Sequence, residues 1–200
     1  MSSNTSHNSW THRLARHAMR PLARTAITPS NVTTARLLTG LVACAAFAFG
    51  TREATVWGGV LWVFSAFLDR ADGELARLTG KVSAAGHRYD YVCDVIINGL
   101  VFVAFGIGQR HALPATAAIS MGLLAGASVS AASLLSEAIE RRLASGEKAY
   151  EGRGGFDFDD ILYLFGPIAW LGALKGLLIG AAIGGPAFCL WTLHRYLKLR

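Results

Sequence analysis

Cysteine is scarce in this chain. Cys44, Cys93 and Cys189 stand far apart in apolar surroundings, with no C-x2-C pair and no histidine at ligand spacing. A thiolate metal site therefore has no basis, and the three read as small packing residues. Charge is scarce too, at 16% of residues against 52% hydrophobic, and the mean hydropathy is +0.38. These values exclude an ordinary soluble globule and point to a membrane protein of one domain. Acidic side chains number 13 against 19 Lys and Arg, for a net charge of +6. The basic residues sit at the ends of apolar segments, not in one soluble patch, so anionic lipid headgroups are the better partner and nucleic acid is not expected. Residues 1–30 are polar and basic and lead into a helix that reverses, so the N-terminus is expected to be retained, not cleaved as a signal peptide.

A membrane-spanning helix needs about 20 mostly apolar residues. Six stretches qualify, near 32–50, 54–75, 89–108, 112–136, 158–177 and 178–197. The last boundary is the weakest, because only Gly172, Lys175, Gly176 and the Gly184-Gly185-Pro186 cluster interrupt a long apolar tract, and five spans remain an alternative. With six spans and both termini cytoplasmic, 16 of the 19 basic residues fall inside, leaving Arg52, Arg110 and Lys175 outside. The expected architecture is all-α: residues 1–31 form a cytoplasmic, interfacial N-terminal segment, and 32–200 a six-helix transmembrane domain. Between Trp10 and Ala26, Arg13, Arg16, Arg20 and Arg24 alternate with Leu14, Met19 and Leu22, which suits an amphipathic helix lying on the bilayer surface. Trp57, Trp62, Trp170 and Trp191 fall within or near span ends, as interface aromatics do.

Residues 69–94 read DRADGELARLTGKVSAAGHRYDYVCD. This places Asp69, Asp72, Gly73, Ala76, Arg77, Gly86, Asp90 and Asp94 in the pattern D-x2-D-G-x2-A-R-x8-G-x3-D-x3-D. Eight fixed positions make a far more specific signal than a short glycine motif. The stretch resembles the full signature of the CDP-alcohol phosphotransferase (CDP-alcohol phosphatidyltransferase) family, and the preceding run Thr28-Pro29-Ser30-Asn31-x-Thr33-Thr34-x-Arg36 resembles the segment that opens its first span. The resemblance implies an integral enzyme of phospholipid biosynthesis in a bacterial-type cell membrane. It would transfer a phosphatidyl group from CDP-diacylglycerol, or a related CDP-alcohol, to a small alcohol acceptor and release CMP. It further implies that Asp69, Asp72 and Asp90 are metal ligands, that Asp94 is the general base beside the second metal, and that Asp72, Gly73, Ala76 and Arg77 line the nucleotide. A homodimer is expected from the resemblance alone.

The residues themselves agree with that chemistry. Continued helically, the second span puts Asp69, Asp72, Gly73 and Ala76 on one face, where small residues let a flat base approach the backbone. Asp90 and Asp94, spaced i, i+4, also share a face, at the cytoplasmic boundary of the third span. Four crowded carboxylates repel and require counter-charge, and oxygen-only ligation suits two Mg2+ or Mn2+ ions sharing them with a pyrophosphate. Gly86 is read as geometric, at the re-entry of the loop. Asp to Arg salt bridges through Arg70, Arg77 and Arg88 are the alternative account of the charges.

The acceptor is less legible. Lys81, Arg141 and Arg142, with Lys148 and Arg153 in the same loop as the last two, are candidate phosphate contacts, yet the same residues serve as ordinary cytoplasmic anchors. Phe156-Asp157-Phe158-Asp159-Asp160 opens the fifth span with three acids, a departure from members with phosphorylated acceptors, and is read first as a helix N-cap. His87, inside the motif loop, is read as a solvated interface residue. Two other classes compete: a divalent cation transporter, since intramembrane acids also mark ion paths, and a non-catalytic scaffold that binds nucleotide or lipid.

Overall fold

A computed structural model describes residues 10–143, 149–150 and 158–199. Among them there is no strand. Helix α1 spans Trp10–Met19, and a single 3-10 turn, Leu22–Arg24, leads to α2, Pro29–Phe49. Thr28 caps α2 by accepting from the Asn31 N–H, and Pro29 opens its first turn. Then follow α3, Arg52–Thr79, α4, Ala84–Gly108, and α5, Ala115–Glu140. Of these, α2, α4 and α5, together with the last helix α7, Leu174–Lys198, are long and apolar enough to cross a membrane. Helix α3 has comparable length but carries the motif charges in its last third.

The hairpin between α3 and α4 is short. Gly80 closes α3 in the left-handed region at φ 67°, which glycine adopts freely, and Ser83 caps α4 by accepting from the Gly86 N–H. The end of α3 and the start of α4 are thus forced side by side. Helices α2, α3 and α4 meet the later segment around an aromatic core: Phe105 stands edge-on to Phe47 at 4.9 Å and to Phe165 at 5.7 Å, and Trp62 stacks on Phe165 at 5.6 Å. Helices α4 and α5 approach at backbone distance, because a Cβ on Gly122 would lie 2.6 Å from the Phe102 carbonyl and one on Gly126 2.4 Å from that of Gly99. The glycine run 122–126 therefore packs within the chain, whereas Gly176, Gly180 and Gly184 of α7 have open space around them.

The expected fifth and sixth spans need correction. The stretch expected as one helix over 158–177 is a 3-10 run, Phe158–Leu164, followed by a six-residue α6, Phe165–Trp170. The break falls at Gly172, whose φ of 73° ends the helix, so α7 starts at Leu174 and runs through the Gly184-Gly185-Pro186 cluster that looked like a breaker. The short segment nonetheless runs along α3 from Arg70 to Val56. Asp160 pairs with Arg70, the Tyr163 hydroxyl donates to the Ala66 carbonyl at 2.9 Å, the Trp62 indole donates to Leu162, and the Trp170 indole to Val56. A 3-10 helix rises about 2 Å per residue, which stretches few residues further than an α-helix does.

Candidate active site

Helix α3 continues past Asp69 through the whole first half of the motif, as its spacing requires. Asp69 and Asp72 of α3 and Asp90 and Asp94 of α4 come together at the α3–α4 hairpin. Carboxylate oxygens of Asp69, Asp90 and Asp94 all lie within 4.8 Å of one another. Asp72 is buried beside them, its Oδ2 accepting from the Thr33 hydroxyl of α2 at 2.7 Å.

Arg36 is the residue that sequence reasoning missed. Its side chain, counted above as one more cytoplasmic cation, is buried at 3% exposure among the acids. Nη1 lies 3.0 Å from Asp69 and 3.1 Å from Asp90, and Nη2 pairs with Asp94. Ser65 of α3 donates to the Arg36 carbonyl at 3.0 Å and holds α2 in register. One guanidinium against four carboxylates leaves the cluster short of positive charge, and its donors are all hard oxygens. The site fits Mg2+ or Mn2+, which Asp69, Asp90 and Asp94 are close enough together to hold.

These acids border a cavity of about 750 Å3. Gly73 and Arg77 line it with Asp69, Asp72, Asp90 and Asp94, and Phe102, Val129, Phe165, Leu177 and Phe188 of the helix bundle add a broad apolar wall. Ser133, Ser136 and Glu137 of α5 supply further polar wall. Ala76 is half-buried on α3, outside the lining, and Gly86 lies in the first turn of α4, also outside it. Tyr89 faces Thr34 of α2 at 3.0 Å. The phosphate-contact candidates stand apart from the cavity: Lys81 is exposed, Arg141 pairs with Glu137 at 3.1 Å, and Arg142 stacks over the Tyr196 ring at 3.9 Å. Lys148, Arg153, Phe156 and Asp157 lie outside the described residues. Arg70 and Arg77 border the cavity instead, as does the exposed His87.

Helix α1 covers the nucleotide end predicted for this cavity. His12 borders it, and burial, with the nearby Arg70 charge, pushes the imidazole below its ordinary value against the opposing hydrogen bond to Glu74.

The family model described as CDP-alcohol phosphatidyltransferase matches residues 26–153. The chain belongs to that family. Within this family it is 33% identical over 87 residues to an archaetidylinositol phosphate synthase from Pyrococcus horikoshii, a match spanning 44% of this chain and 45% of that relative. The chain thus matches just under half the length of that relative. Its fold is that of the phosphatidylinositol phosphate synthase of Mycobacterium tuberculosis, solved with manganese and citrate: TM-score 0.68 at 22% identity, covering 94% of this chain and 88% of that one. A second structure of that synthase, with CDP-DAG bound, gives 0.64 at 23% identity over 92% and 94% of the two chains. This CDP-alcohol phosphatidyltransferase family member is an integral membrane protein, and the fold gathers six of its eight motif residues, all but Ala76 and Gly86, at one cavity.

Proposed function

We propose that this protein transfers a substituted phosphoryl group from a CDP-alcohol, CDP-diacylglycerol or a close analogue, to an acceptor hydroxyl and releases CMP. One observation carries the reading: a four-carboxylate cluster and a broad apolar wall from membrane-spanning helices line one large cavity. Such a space suits a charged diphosphate joined to a lipid. Two divalent cations bound by Asp69, Asp72, Asp90 and Asp94 would supply the positive charge that a pyrophosphate and a departing CMP require. Thr33 fixes Asp72, Gly73 and Ala76 keep the α3 wall thin for base and ribose, and Arg77 offers its guanidinium to a phosphate. Asp94 accepts the proton of the acceptor hydroxyl. The freed oxygen bonds to the β-phosphorus while the bond from that phosphorus to the CMP oxygen breaks, leaving a phosphodiester.

The names of the similar proteins make inositol phosphate the first acceptor to assay. Arg70 and Arg77, which line the cavity, are better placed for a phosphorylated acceptor than Lys81, Arg141 and Arg142, which do not, and Gly86 shapes the hairpin. The reading also makes the chain a six-pass protein with both termini and the site at the cytoplasmic face, α1 at the bilayer surface, and a homodimer as the expected assembly.

The test is CMP release by purified protein from CDP-diacylglycerol with Mn2+ or Mg2+, across inositol phosphate, glycerol 3-phosphate, inositol and serine. Release should depend on one alcohol and vanish in Asp94→Asn, which should still bind CMP. Mn2+ uptake into vesicles without CMP release from any alcohol would favour a transporter and sink the proposal.

A further inference from the structure

Glu74 occupies one of the unspecified positions between Gly73 and Ala76, so the motif asks for no acid there. Its side chain is nonetheless fully buried at 0% exposure and gathers cations from two helices. Arg77, one turn along α3, donates to Oε1 at 2.7 Å. From α1, the Arg16 Nε donates to Oε2 at 2.8 Å, and the His12 Nδ1 lies 3.0 Å from Oε1. The Arg77 Nη2 also approaches the His12 Nδ1 at 3.4 Å. A carboxylate at this depth is costly unless both oxygens are paired, and here both are.

The arrangement has a direction. Arg77 and His12 border the cavity beside Gly73, while Glu74 does not. Glu74 therefore stands behind two residues that face the site and ties both to α1. A free arginine gives up rotamer freedom when it settles on one phosphate geometry. An arginine already held by Glu74 has lost most of that freedom before the ligand arrives. Helix α1 also docks through apolar contacts, in which Met19 packs with Val32, Ala71 and Leu75, so its attachment does not rest on Glu74 alone.

We infer that Glu74 is a positioning residue that makes α1 part of the nucleotide-phosphate site, holding Arg77 with His12 against the Gly73 wall so that tight donor binding requires α1 to be docked. The inference rests on the proposed contact of Arg77 with the nucleotide. The experiment is equilibrium binding of CMP, in Mn2+, to full-length protein in detergent, with KM and kcat for CDP-diacylglycerol measured alongside. Glu74→Gln, which keeps shape and removes charge, should weaken CMP by about tenfold and raise the donor KM to match, with kcat within about twofold. In an Arg77→Ala background the same change should add less than about twofold, because the two act as one unit. The double change His12→Ala with Arg16→Ala, which leaves the Glu74–Arg77 pair in place, should weaken CMP by about threefold. CMP affinity unchanged in Glu74→Gln, or in the α1 double change should Glu74→Gln not fold, would overturn the inference and leave Glu74 as mere glue between α1 and α3. A wild-type protein that binds no CMP would instead sink the nucleotide reading on which it stands.

Discussion

The guanidinium of Arg36 and a divalent cation draw on the same oxygens, those of Asp69, Asp90 and Asp94. Removing one partner of a buried ion pair commonly costs about 3 to 5 kcal/mol, because the other charge is stranded. Arg36→Gln should therefore lower the Tm in EDTA by several degrees, and Mn2+ should raise the variant's Tm by more than it raises that of the parent. Equal Mn2+ shifts in the two proteins would show that Arg36 and the cation do not compete. Nothing in the linear spacing announces this role, since Arg36 and Asp69 belong to different helices and meet only through the packing of α2 on α3. The hints available were the resemblance of the run ending at Arg36 and the spacing that places Thr33 and Arg36, one turn apart, on one face of α2. Thr33 reaches Asp72 and Arg36 reaches the other three acids, so the polar stripe of α2 is the third wall of the site.

Helix α4 carries two of the four aspartates, and its position is set by glycine contacts with α5. At Gly126 the nearest atom to an added Cβ is a backbone carbonyl, which cannot rotate away. Overpacking of this kind costs about 1 to 3 kcal/mol. Gly126→Ala should lower the Tm by several degrees and weaken Mn2+ binding, since α4 must shift to accept the methyl group. Gly176→Ala, in open space on α7, should leave the Tm unchanged or raise it slightly. A thermal melt of both variants decides the matter, and equal losses would refute the contact. At this scale the sequence was readable where helices are long and capped: Thr28 and Gly50 bound α2, and Gly80 and Ser83 mark the hairpin that joins the two aspartate pairs. It misled at 158–177, because hydropathy registers an apolar tract without distinguishing a 3-10 segment from an α-helix, and because Pro186 inside α7 carries the same letter as a helix breaker. The loop cations illustrate a second limit. Arg141 and Arg142 are expected from the sequence to reach the site from the loop after α5, but i, i+4 pairing with Glu137 and stacking on Tyr196 hold them outside the cavity lining.

For the whole molecule the question is how often the chain crosses. Among the described residues four helices meet the length and hydropathy expected of a span, yet the 158–170 segment passes from the level of Arg70 to that of Val56 along α3, and α7 then returns until Arg142 contacts Tyr196. On the proposed six-pass reading, α3 and that path are the two further crossings, and the end of α7 returns to the end of the molecule that holds the aspartates. The three basic residues at the opposite end test the assignment, because they run against the positive-inside rule. Two of them have local employment: Arg52 donates to the carbonyls of Ala169 and Trp170 at the end of α6, and Arg110 donates to those of Ala48 and Ile107 at 2.8 and 2.7 Å. Each satisfies carbonyls that a helix end leaves unpaired, which water cannot reach inside a bilayer. Their presence there follows from capping and carries no orientation signal, so of the 19 basic residues Lys175 alone counts against the proposed orientation and 16 count for it. Reporter fusions after Arg200 and before Met1 should therefore both register the cytoplasm. Termini on opposite faces would mean that 158–170 turns back without crossing, and would remove the six-pass reading while leaving the aspartate cluster intact.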